Sequence, residues 1–538
     1  MRKDLVRETI FGRIVHLVSG GKLFPPAEQR DPSRLQRYTV TKSASTSATS
    51  VSASSDVPLV EKRNPEKGND YELVDWLEND SENPRNWSTT KKFFVTFQIC
   101  FLTIAVYIGS AIYTAGVQGV MQQFGVSDVA ALLGLTLFVL GYALGPMVFA
   151  PMSEMPFFGR SPIYISTLAL FVVLQLGVIY AKNFGMLLAF RFITGFIGSP
   201  VLATGGATIA DMYAPKKQAY GISIWGIAAV CGPALGPVVG GFAAESKGWQ
   251  WTIWELMWLS GACLIFLIFF LPETSSSNIL YRRTMRYRKL TGNPNLKCEA
   301  EIEAEGMSSK EIVQIILIRP FTLSFTEPIV FLLNLYIALI YALLYLWFES
   351  FPIVFIGIYN FSLGTSGLAF LGLLVGALIT LPPFFWYLHQ YQEPLFNENG
   401  DIKPEHRLTP AFVGAFFIPI CLFWFGWSAR TSVHWIMPII GSSFFSIGAF
   451  CLFISVLAYL GDAYPKYVAS VYAGNDLVRS AFGACFPLFA NAMFTRLGVG
   501  WASSLLGFLS IVFIPIPFVL YYYGERIRAK SKMARHDL

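Results

Sequence analysis

The sequence predicts an all-α membrane protein: twelve transmembrane helices in two pseudo-symmetric six-helix bundles. Three observations carry this. First, the 538 residues are 54% hydrophobic and 16% aromatic but only 14% charged, against about a quarter charged in soluble domains. Lipid solves the problem of so much apolar surface. Second, stretches of about 20 apolar residues, enough at ~1.5 Å per residue to cross ~30 Å of hydrocarbon, recur twelve times. No strand-like alternation competes with them, and an open sheet would leave backbone groups unpaired in lipid. Third, Asp211-Met-Tyr213-Ala214-Pro215-Lys216 is echoed by Asp462-Ala-Tyr464-Pro465-Lys466 at the ends of the fourth and tenth spans. An echo six helices apart points to a duplicated six-helix unit, with halves related by an axis along the membrane normal.

The chain divides accordingly. Residues 1–92 are expected to form a largely disordered cytosolic tail. Within it, 4–18 place Val6, Ile10, Ile14, Leu17 and Val18 on one helical stripe, interrupted by Arg7, consistent with a membrane-surface helix. The low-complexity run 41–56 is a solvated tail or a phosphorylation substrate. No cleavable signal peptide is expected, so the first span directs insertion. The first bundle, 93–271, holds spans at about 93–115, 129–151, 162–181, 185–210, 220–243 and 253–271. Residues 272–327 form a cytosolic loop that opens on LPET and continues into YRRTMRYRKL, a basic stretch suited to anionic headgroups. The second bundle, 328–523, holds spans at about 328–357, 365–388, 410–428, 433–459, 467–492 and 499–523, and 524–538 is a cytosolic tail.

Of the 40 Lys and Arg, 15 precede the first span, 8 lie between the sixth and seventh, and 5 are in the last tail. The opposite-side connections hold Lys182, Lys247, Arg430 and Arg496. The positive-inside rule then puts both termini in the cytosol. The net charge of +6 is spread over loops, which argues against nucleic-acid binding. Six of the seven cysteines sit in spans, none at metal-ligand spacing, so reduced structural thiols are expected. Phosphate loops, nucleophile elbows, histidine clusters and dinucleotide fingerprints are missing, so neither an ATPase engine nor an enzyme is expected. Ion gradients remain as the energy source, with no cofactor.

Individual residues carry the mechanism. The loop after the second span, GPMVFAPMSEMPFFGRSP, sets Glu154 before Gly159 and Arg160. Gly159 permits a tight turn, and Arg160 can pair with Glu154 or with Asp211, or simply fix topology. Arg191 lies two turns inside the fourth span. An unpaired charge there costs at least about 2.5–3.5 kcal/mol, so it has a partner or serves as an anchor. The fifth span puts Gly226, Gly232, Gly236, Gly240 and Gly241, with Pro233 and Pro237, largely at spacings of four, a smooth face for close helix packing. In the seventh span Tyr341, Tyr345, Phe348 and Pro352 form one aromatic face beside Glu349, a candidate proton carrier. Glu349 can equally reach outer water or pair with an Arg. In the eleventh span Asp476 and Arg479 are three apart and can neutralise each other, while Asn475 can reach a cavity. Trp249, Trp251, Trp254 and Trp258 fit an interfacial belt.

These motifs, together with NPRNWS (83–88), WQWTIW (249–254), YRKLTGN (287–293) and AGNDLVRS (473–480), resemble the fungal twelve-helix drug:proton antiporters of the major facilitator superfamily. Within them the fluconazole, benomyl and caffeine resistance exporters are most similar, over roughly residues 83–525. Glu154 in place of the usual Asp, and two extra loop residues, are typical of that subgroup. The resemblance implies proton-driven export of diverse apolar compounds at the plasma membrane, by a monomer without nucleic-acid partners. It implies that Arg191 tunes a nearby carboxylate, that the doubled Gly-Pro is an antiporter motif, and that Glu154, Gly159, Arg160, Asp211 and Asp462 form a cytosolic gating cluster. It further implies a central cavity lined by Tyr107, Tyr113, Tyr341, Tyr345, Phe444 and Phe445. Export of an endogenous metabolite or polyamine, or nutrient symport, is the alternative.

Overall fold

Several spans begin at residues that cap, or dispense with, the unpaired N–H groups of a first helical turn. Ser88, Ser127 and Asn183 accept backbone hydrogen bonds from residues three along and start Thr89–Ala111, Asp128–Glu154 and Phe184–Gly198. Pro215, Pro328 and Pro487 occupy first-turn positions, where the missing N–H costs nothing. The computed structural model describes residues 7–26, 28, 38, 71–306, 308, 311, 314–398 and 400–537. The run 41–56 and Val6 lie outside them.

Among the described residues eleven helices are long and apolar enough to cross a membrane. The difference from the expected twelve lies at the eleventh span. Val468–Cys485 carries Asn475, Asp476 and Arg479, which lower its hydropathy, but it packs between the seventh and second spans like its neighbours. Cys485 hands over to Pro487, and the helix runs on to Gly498, whose φ of 75° and ψ of 157° break it. The twelfth span starts there and ends with Pro515–Arg528. The other spans are Arg160–Ile179, Pro200–Met212 continuing the fourth, Pro215–Lys247, Gln250–Phe270, Pro328–Phe351, Leu371–Tyr387, Thr409–Ser428 and Ile436–Ala463. The first six pack on one another, as do the last six. The fifth span lies against the eighth, and the second against the eleventh, to join the halves.

The described parts of the first tail are built into the fold rather than disordered. Helix Ile10–Val18 docks by packing Phe11 at a tilt against Phe269 at the C-terminal end of the sixth span, 4.8 Å between centroids. Glu72–Leu73 pairs in parallel with Leu296–Lys297 of the central loop. Arg283 of helix Ser276–Thr291 is buried against Asp80 at 2.5 Å and Glu82 at 2.6 Å. Trp258 and Trp251 fit the interfacial belt, but Trp249 does not. It is buried under Gly116 and Gly119 and donates to Gln123 Oε1 at 2.7 Å.

Candidate functional site: a hydroxyl cluster between two bundles

Four spans bring polar side chains to the middle of the molecule. Tyr142 of the second span hydrogen-bonds through its hydroxyl to Tyr341 and to Tyr345 of the seventh, both at 2.7 Å. Tyr345 also donates to Ser110 Oγ of the first span at 3.0 Å. Arg479 of the eleventh span pairs with Asp476, donates to Tyr107 at 3.4 Å and lies over the Tyr341 ring. Thr136 Oγ1 donates to Ala484 O at 2.8 Å. The two bundles are thus sewn together at mid-membrane by hydroxyl groups, each satisfied by a group on the opposite bundle. Hydroxyl-rich seams suit a surface that must part and re-form, because each group can be re-satisfied by water or substrate.

The expected cavity lining divides. Tyr107, Tyr341, Tyr345 and Phe348 belong to this central group, Phe348 through an edge contact with Tyr345 at 5.2 Å. Tyr113 does not. Its hydroxyl donates to Ala131 O at 2.9 Å, and its ring lies under Arg191, wholly inside the first bundle. Phe444 packs on Phe417 and Trp424, and Phe445 on Trp347, so both fill the second bundle. Asn475 donates to Asn334 Oδ1 at 2.9 Å and faces the seventh span rather than the centre. Helical phase explains these misplacements: neighbouring residues point about 100° apart, and composition does not reveal which face looks inward.

Arg191 is completely buried, and its partners are not carboxylates. Nε donates to Gly134 O at 2.9 Å and Nη2 to Gly109 O at 3.0 Å, while the guanidinium lies over Tyr113 and Phe138. Its Nη1 is buried without a protein partner. Arg191 therefore clamps the first, second and fourth spans through backbone carbonyls, and forms no ion pair among the described residues. Glu349 has no side-chain hydrogen bond or ion pair among the described residues either. The charge set against it is Asp128, at the start of the second span, which Asn491 contacts at 3.1 Å.

In the turn between the second and third spans Gly159 has φ of 75°, as the tight turn requires. Arg160 pairs with Asp211 at 3.0 Å and also donates to Thr208 Oγ1 at 3.1 Å. Glu154 is exposed and makes no such pair among the described residues. The anion missed from the sequence is Glu273 of LPET. Its Oε1 accepts from the backbone N–H of Arg160, Thr274 and Ser275, each at 3.0 Å, and its Oε2 pairs with Arg282 at 3.1 Å. A Cβ on Gly159 would come within 2.6 Å of Glu273 Oε2. In the second bundle Arg407 pairs with Asp462 at 2.7 Å, the counterpart of Arg160 with Asp211. Both clusters lie within their own bundle, so neither ties the halves together. That contact is made by Glu393, which accepts from Lys217 at 2.7 Å and Tyr220 at 2.6 Å.

The fifth-span motif is a two-sided seam. Cβ atoms on Gly232 and Gly236 would come within 2.6 Å of Tyr107 Cβ and 2.7 Å of Ala111 Cβ in the first span, and one on Gly240 within 2.7 Å of Ile112 O. Gly226 faces Ile454 of the other bundle at 2.9 Å, and Gly241 faces Leu363 O at 2.9 Å. The carbonyl of Pro237 lies 2.2 Å from where a Cβ of Gly367 would stand. Pro233 and Pro237 sit inside an unbroken helix.

The Major Facilitator Superfamily profile matches residues 99–487. Transporter mfs1 of Schizosaccharomyces pombe is 46% identical over 98% of this chain and 99% of its own length. Fluconazole resistance protein 1 of Saccharomyces cerevisiae is 42% identical over 90% of this chain and 88% of its own. Multidrug transporter FLR2 of Candida glabrata is 42% identical over 87% and 80%. Among solved structures, the xylose transporter XylE from E. coli superposes with a TM-score of 0.53 at 15% identity, over 80% of this chain and 99% of that one, a likeness of fold.

Proposed function

The chain belongs to the major facilitator superfamily, and we propose that it is a proton-coupled antiporter exporting structurally diverse apolar and aromatic compounds from the cytosol. The observation that carries this reading is the fifth-span seam, which packs glycine faces on both the first span and the opposite bundle. A helix seated this closely on both sides resists opening a continuous water path while the halves rock, which antiport requires. Likeness over 80% and 88% of the length of two transporters, one named a multidrug transporter and one for fluconazole resistance, supports the substrate class. The central Tyr107, Tyr142, Tyr341 and Tyr345 supply rings for flat aromatic substrates and hydroxyls for their polar edges.

Glu349 is the proposed proton carrier. It faces another carboxylate and has no cation partner among the described residues, so a proton is its natural counter-charge. Arg191 preserves the first bundle's geometry rather than titrating. The protein works as a monomer in the plasma membrane, with both termini cytosolic, without a cofactor. Expressing cells should accumulate less fluconazole than controls, and a protonophore should abolish the difference. A difference that survives the protonophore refutes proton coupling; a panel adding polyamines distinguishes drug export from metabolite export.

A further inference from the structure

The tail and the loop between the bundles meet in a feature that transport does not use. Thr9 accepts from Gly12 N at 3.1 Å to start helix Ile10–Val18, and pairs with Pro272 as an isolated bridge. With Phe11 packed against Phe269, the helix is held where the sixth span leaves the bilayer. Against it opens a cavity of about 270 Å³ whose walls include Arg13, Arg282 and Arg286 together with His16, Leu17 and Phe24.

Its charges are unevenly matched. The carboxylates at its walls are already committed: Glu273 to backbone N–H groups and Arg282, Glu82 to Arg283 and Arg7, Glu8 to Arg7 and Lys91. Arg13 donates to the carbonyl of Glu8 at 3.0 Å and has no carboxylate partner among the described residues. Arg286 reaches Glu28 through Nη2 at 2.9 Å, but its Nε is buried without a partner. Burial, with Arg13 beside it, pushes the Arg282 pKa down to about 10 despite its pair with Glu273. On the same helix Leu17 and Val18 are 77% and 83% exposed, beside Ile14 at 52%. Apolar side chains this exposed at the level of the bilayer surface match an amphipathic interfacial helix.

We propose that this cavity binds the phosphate-bearing headgroup of an anionic lipid of the cytosolic leaflet. Arg13 and Arg286 donate to the phosphate, and Ile14, Leu17 and Val18 lie along the acyl chains. The bound lipid fixes the tail helix to the first bundle. Free phosphate would satisfy the arginines but leave the apolar stripe in water, so a lipid accounts for both halves of the feature.

Native mass spectrometry of the full chain in detergent tests this, with dioleoyl phosphatidylinositol 4-phosphate against dioleoyl phosphatidylcholine. The inositol lipid should be retained and the choline lipid lost. Arg13→Gln should weaken retention about fivefold, the roughly 1 kcal/mol one arginine contributes at an anionic surface. Arg13→Lys should largely restore it. Leu17→Ser with Val18→Ser should weaken the lipid but leave soluble inositol 1,4-bisphosphate unaffected. Equal retention by wild type and Arg13→Gln, both with the wild-type melting temperature, overturns the proposal. Millimolar inorganic phosphate that displaces the lipid fully, with no effect of the serine pair, reduces it to a free-anion site and overturns it as well.

Discussion

Tyr142→Phe removes one oxygen and leaves the ring, so it isolates the contribution of the central hydroxyl seam. That oxygen bonds both Tyr341 and Tyr345 at 2.7 Å. Each such bond contributes about 0.5–1.5 kcal/mol net. Tyr345 keeps Ser110 at 3.0 Å, so only Tyr341 loses its described hydroxyl partner, and the loss should fall near ~1–2 kcal/mol. Because the two bonds join opposite bundles, the loss is charged to the closed arrangement and little to either bundle alone. The ratio of closed to open molecules should drop by a factor of about 5–30. Hydrogen–deuterium exchange on the peptide containing Tyr341 to Phe348 reads this directly, since exchange there requires the seam to part. A rate increase in that range confined to the seam supports the reasoning. Unchanged exchange, or a uniform increase across the second span, refutes it.

The remaining predictions follow from single contacts. Glu349→Gln should abolish proton-dependent efflux while leaving surface expression intact; full coupled export excludes Glu349 as the carrier. Gly236→Val would drive side-chain atoms into Ala111 and the Ile112 backbone, 2.7 Å from the glycine's virtual Cβ. That overpacking costs about 1–3 kcal/mol and should lower both the melting temperature and drug resistance. Glu273→Gln weakens a charged cap on the third span and the Arg282 pair, about 1.5–3 kcal/mol, and should destabilise the chain more than Glu154→Gln, whose carboxylate is exposed. Reversing the latch with Lys217→Glu or Glu393→Lys alone should impair export, and the double reversal should recover part of it; an unimpaired single variant removes the latch from the cycle.

Span positions and the six-plus-six division were legible because bilayer thickness imposes a length and an apolar composition that the sequence must display. The Asp211 and Asp462 echo was legible too, and each aspartate meets an arginine within its own bundle. Sequence reasoning was weakest where a contact depends on which way a helix face turns. Tyr142 sits in VLGYALG, with nothing local to mark it, yet it is the hub of the seam. Glu273 was visible only as part of LPET, because the contact that ties it to the third span comes from Arg160, more than a hundred residues earlier. For Arg191 the family resemblance implies a nearby carboxylate, with a structural anchor as the alternative. Instead the close approach of Gly109 and Gly134 exposes two carbonyls to it, a solution that no charge pattern records.

The central claim, that proton movement drives export in the opposite direction, is tested most directly in proteoliposomes holding the purified chain, a pH-sensitive dye and an imposed proton gradient. The account predicts that fluconazole moves against the direction of proton flow and speeds dissipation of the gradient, and that Glu349→Gln does neither. Fluconazole flux that ignores the gradient, or that runs with the protons, would contradict it.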